Sequence, residues 1–106
     1  MTHDGRTAAR AIERRRVSRK TPGDGKLEIT KVGAGRLESL GETFRVVVDA
    51  RSGHARLGSM PCTCRGGDRP HVHYFLESDL FRSLTAGTEV DLLLDDEHHR
   101  LLVVPA

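Results

Sequence analysis

From residue 26 onward, apolar and polar residues alternate over short stretches separated by turn residues, which is the period of half-buried strands. "KLEITKV" sets Leu27 and Ile29 against Glu28 and Thr30. "FRVVVDA" places Phe44, Val46 and Val48 on one face, because successive side chains of a strand point to opposite sides. "SGHARLGSM" is expected to fold back on that strand through a Ser52-Gly53 turn. "HVHYFLE" is rich in strand formers. The period then changes. In "ESDLFRSLTAG", Ser78 suits an N-cap, Asp79 suits a first turn, and Leu80, Phe81 and Leu84 share a side. This predicts a short helix over 78–85, stopped by Gly87. "TEVDLLLDDEHHRLLVVPA" predicts a closing hairpin, with Val90, Leu92 and Leu94 on one face and "DDEHH" at the turn.

The expected order is β-β-β-β-α-β-β. It describes an α+β fold, mostly antiparallel β: a small barrel or curled sheet with one short helix late in the chain. OB-type barrels place a helix similarly, between the third and last pairs of strands. Residues 26–106 form this domain, and residues 1–25 form a basic N-terminal arm ahead of it. In the arm, "TAARAIERRRVSRK" favours helix, with Thr7 as N-cap. Its stripe of Ala8, Ala9, Ala11, Ile12 and Val17 is weak, so a helical or a disordered arm is expected. "TPGDGK" punctuates the boundary.

Charge divides the chain at the same place. Residues 1–26 hold eight Lys or Arg against three Asp or Glu, and the remaining residues hold nine against twelve. An Arg-rich run of this kind adds salt-sensitive, sequence-independent affinity for phosphates. Arg10, Arg14, Arg15, Arg16, Arg19 and Lys20 are therefore the candidate nucleic-acid contacts. Asn and Gln are both absent, which removes the usual readers of adenine edges and points to backbone contacts. No apolar run approaches the roughly 20 residues needed to span a membrane. The N-terminus lacks a secretory core, so a cytoplasmic protein without a membrane partner is expected.

The densest chemistry lies in "PCTCRGGDRPHVHYF". Cys62 and Cys64 share one side of an extended segment, as do His71 and His73. If "RGGDRP" reverses the chain, Cys64 faces His71 and Cys62 faces His73, with opposed Cβ atoms about 5 Å apart. Two thiolates and two imidazoles are a Zn²⁺ set, and a metal cross-link would brace so small a core. The spacing resembles the CxC…CxH pattern of SWIM-type zinc fingers, which bind DNA or protein partners. Cys62, Cys64 and His73 match that pattern, and His71 stands where the family has Cys. "HVHYFLE" is also similar to the first metal motif of cupins, with His71, His73 and Glu77 in the ligand positions and His98 near the place of a fourth. The second cupin motif is broken by Leu93 and Asp95. Without a metal, the thiols are small buried residues, or a reactive thiol beside Arg65 and Arg69.

These features favour a small non-enzymatic binding protein associated with nucleic acid or ribonucleoprotein and carrying a structural zinc site. The alternatives are a protein-interaction or regulatory module, with a protein partner, and a small cupin-like metalloenzyme.

Overall fold

The alternation in "FRVVVDA" is realised: Phe44, Val46 and Val48 are buried on one side of their strand, and Thr43, Arg45 and Val47 face the other way. A computed structural model describes residues 9–61 and 72–106. In chain order the elements are β1 (Ala9–Arg16), α1 (Thr21–Asp24), β2 (Lys26–Ile29), α2 (Lys31–Arg36), β3 (Thr43–Val48), β4 (Arg51–Pro61), β5 (Val72–Glu77), β6 (Glu89–Asp95) and β7 (Arg100–Pro105). Two 3₁₀ helices, Glu38–Leu40 and Asp79–Ser83, join them.

The seven strands form one mixed sheet in the order β1-β6-β7-β3-β4-β5-β2. All pairings are antiparallel except β3 with β7. The inner face carries Leu27, Phe44, Leu76, Leu92 and Leu101, and the short helices lay Leu37, Leu40 and Phe81 against it. The β-rich architecture and the closing β6–β7 hairpin match expectation, with Val90, Leu92 and Leu94 buried on β6. A closed barrel is not formed: β1 and β2 are the two ends of the sheet.

Several local expectations are corrected. Residues 9–16, expected as helix or disorder, are strand β1, because pairing with β6 satisfies a backbone that the weak apolar stripe could not hold as a helix. The reversal between β3 and β4 occurs at Asp49-Ala50, both with positive φ (50° and 67°), and Ser52 and Gly53 lie within β4 opposite Val47 and Val46. Two-residue hairpins of this hand match strand twist. Ala50 accepts a left-handed conformation that its Cβ disfavours. Ala50→Gly is therefore expected to stabilise the fold by about 0.5–1 kcal/mol, seen as a raised denaturation midpoint at unchanged m-value. A lowered midpoint would contradict it.

"KLEITKV" is strand only to Ile29. Thr30 then caps α2, its Oγ1 accepting from Gly33 N at 3.0 Å. The segment expected as a helix over 78–85 is a 3₁₀ helix, capped as anticipated by Ser78, whose Oγ accepts from Leu80 N at 3.2 Å. "TPGDGK" makes the single turn of α1, ended by Gly25 at φ 70°. Ser78 N then donates to Gly25 O at 2.9 Å, tying the start of β2 to the late 3₁₀ helix.

The β1 edge is interrupted against strand addition. On β1, Ile12 is an extra residue between Ala11, opposite Leu93, and Glu13, opposite Leu92. Arg36 also donates to the Ile12 carbonyl at 3.3 Å. The Glu13 side chain links the two edges. Glu13 reaches from β1 to accept from Thr30 N at 3.0 Å and from the Thr30 hydroxyl, just past the end of β2.

Candidate functional site

The β4–β5 hairpin sets the register of the expected ligand cluster. His73 is opposite Met60, and Val72 is opposite Pro61, so the expected opposition of Cys62 and His73 is not the one formed. Cys62, Cys64 and His71 lie outside the described residues. The His73 ring stands on the outer face of β5 with Nδ1 2.8 Å from Glu28 Oε2. Among the described residues no group of three or more His, Cys, Asp or Glu side chains is arranged to hold a metal ion. The expected Zn²⁺ site is corrected accordingly. The cupin-like set is dispersed in the same way. Glu77 is bound by Arg56 at 2.7 Å, and His98 Nδ1 lies 3.0 Å from Asp95 Oδ2.

The basic arm is largely engaged with its own protein. Arg14 makes a two-pronged contact with Asp91, at 2.8 and 3.2 Å. These hydrogen bonds raise the Arg14 pKa and hold the Asp91 carboxyl below its usual range. Arg10 pairs with Asp96 at 2.8 Å, and Arg16 Nε donates to the Gly87 carbonyl at 3.3 Å. Arg15 turns inward, with Nε buried and 3.8 Å from Glu13 Oε2. Arg19 and Lys20 are exposed in the turn before α1.

A different set of cations is assembled on the outer face of the sheet. In antiparallel and parallel ladders alike, paired residues project to the same side. Arg45 of β3 is paired with His54 of β4 on one side and with Arg100 of β7 on the other. Arg45 and His54 are exposed and Arg100 is half-buried. The Arg100 guanidinium uses Nε for Asp95, at 2.9 Å, which leaves its terminal amines for other partners. Among the described residues no carboxylate pairs with Arg45.

One step along the same face, Val47, Leu102, Leu93 and Ala11 stand in direct register across β3, β7, β6 and β1. Val47, Leu93 and Leu102 are half-buried, whereas their inward neighbours Val46, Leu92 and Leu101 are fully buried. Farther out, Lys26 Nζ lies 4.9 Å from the Phe75 ring centroid. A depression of about 390 Å³ there is lined by Lys20, Lys26, Glu28, Met60, His73 and Phe75, among others.

Asp95 anchors the end of the cation row. Its side chain is only 2% exposed. Burial by itself would raise its pKa, but hydrogen bonds from Arg100, the His98 backbone and the His98 ring outweigh it and hold the carboxyl below its usual value.

No protein-family model, curated protein or solved structure matches this chain. The alternation of "FRVVVDA" turns Arg45 away from Phe44 and Val46, but the sequence alone does not mark it as a candidate. The missing information was the parallel β3–β7 pairing, which brings Arg100 beside it from the far end of the chain.

Among the described residues no helix is long and apolar enough to cross a membrane.

Proposed function

We propose that this chain is a small nucleic-acid-binding module that takes phosphate on the outer face of its sheet, not chiefly on its N-terminal arm. The observation that carries the reading is the Arg45 position between Arg100 and His54, with no carboxylate against it among the described residues. Like charges at directly opposed strand positions destabilise a sheet. A row that keeps two guanidiniums side by side is reasonable where an anion settles between them, and guanidinium matches phosphate through paired N–H donors. Arg10, Arg14, Arg15 and Arg16 have Asp96, Asp91, Glu13 or a carbonyl as partners, so at these four phosphate would first have to displace an internal contact.

The test is a fluorescence-anisotropy titration of a labelled oligonucleotide over a series of salt concentrations. Affinity is expected to fall steeply with salt. Arg45→Glu is expected to weaken binding about 10-fold or more and to flatten the salt slope by roughly one unit. The double change Arg19→Ala with Lys20→Ala is expected to have the smaller effect. Binding indifferent to salt, or an Arg45→Glu protein that binds like the parent, would refute the proposal.

A further inference from the structure

From the half-buried aliphatic row beside these cations, we infer that the ligand is single-stranded DNA, with phosphates on the Arg45–Arg100 row and bases lying over Val47, Leu102 and Leu93. This rests on the phosphate-binding reading above and adds the class of nucleic acid. The two rows are parallel, because Arg45 and Val47 are two residues apart on β3, and Arg100 and Leu102 are two apart on β7. Residues two apart on a strand are about 7 Å from each other, so a nucleotide whose phosphate is held at the cation row can lay its base over the apolar one.

That geometry separates single strands from duplexes. In a duplex the base faces are stacked on each other and present no apolar surface, whereas an unpaired base offers a face to any apolar platform. Nor can the platform enter a groove. It sits on β3, β7 and β6, with β1 beyond one end and β4, β5 and β2 beyond the other. Seven strands at about 4.8 Å spacing span close to 29 Å, too wide for a major groove of about 12 Å. A duplex could touch only the cations.

The same row selects the sugar. Val47, Leu102, Leu93 and Ala11 offer no side-chain hydrogen bond, and Ser52, opposite Val47, is the one hydroxyl at its β4 end. A ribose 2′-hydroxyl covered there would lose its water without a replacement partner, which is unfavourable. Deoxyribose avoids that loss.

Three labelled probes of one sequence and length, single-stranded DNA, single-stranded RNA and duplex DNA, are titrated against the parent protein, Leu102→Thr and Val47→Thr. Threonine keeps a strand-compatible side chain, and thermal melts confirm that each variant is folded; the second variant serves if the first does not fold. Single-stranded DNA is expected to bind about 10-fold tighter than duplex, with RNA between them, and each Thr variant to lose about 3- to 10-fold on single-stranded DNA alone. Equal, salt-dependent binding of single strand and duplex, or Thr variants that leave their ratio unchanged, would overturn this inference and leave the phosphate reading standing. RNA binding as tight as DNA would overturn the choice of sugar. Failure of all three probes to bind would overturn both readings.

Discussion

Asp95→Ala is expected to cost the fold about 2–3 kcal/mol, lowering the melting temperature by roughly 10–20 °C. The Asp95 side chain is 2% exposed and accepts from Arg100 Nε at 2.9 Å and from the His98 backbone N at 3.2 Å, with the His98 ring Nδ1 at 3.0 Å. Removing the carboxylate leaves the half-buried Arg100 without its counter-charge and the β6–β7 turn without the acceptor that organises it. Asp95→Asn keeps the shape and discards the charge, so it should recover only part of the loss.

The same carboxylate gives the fold a pH dependence of definite sign. Its pKa is lower folded than unfolded. Its stabilisation is therefore complete above the unfolded-state value of about 3.9 and disappears as pH falls through the lower folded value. The stability difference between the parent and Asp95→Asn should shrink as pH falls below about 4 and the carboxylate protonates. A difference that grew on acidification would exclude this account. Chemical denaturation at several pH values measures it directly.

Gly33→Ala is expected to be the second severe change, although alanine is the better helix former. A Cβ at Gly33 would run into the Glu13 carboxylate, overlapping Oε1 and lying 2.8 Å from Cδ. The Glu13 carboxylate would have to leave Thr30, giving up both hydrogen bonds that join the end of β2 to β1. The expected loss is about 2 kcal/mol net, because roughly 1 kcal/mol of helix propensity is regained. Glu13→Ala alone should cost about 1 kcal/mol more, because it loses the same bonds and regains no helix propensity. In the Glu13→Ala background, Gly33→Ala should become neutral or stabilising, because the group it displaces is already gone. Simple additivity in this double-mutant cycle would show that the two sites are not coupled.

The strands of residues 43–48 and 89–105 were legible because each has one face packed on the core, so alternation reports burial directly. Residues 9–16 were not legible. The pattern "ARAIERRR" buries only Ile12, and what makes it a strand is the exposed hydrogen-bonding edge of β6, which local sequence does not encode. Helix α2 was hidden for a related reason. "KVGAGR" contains two glycines and leaves Val32 64% exposed, and its cap depends on Thr30 held by a glutamate seventeen residues earlier. The Cys62–His73 opposition failed on register. A hairpin's pairing is set by the strands that flank it, and here β4 and β5 align His73 with Met60. The cation row was invisible because two of its members meet only through the one parallel pairing in the described sheet.

That pairing has a further consequence, for synthesis. β7 lies between β6 and β3 near the middle of the sheet, yet it is formed by residues 100–105. While a ribosome is still making those residues, β3 lacks its β7 neighbour and the β6–β1 pair has no strand pairing to the rest of the sheet. Such late, sequence-distant pairing slows folding and leaves strand edges open in the meantime. Nascent chains arrested before residue 100 should thus be protease-sensitive throughout, and native resistance should arrive in a single step once β7 has cleared the exit tunnel.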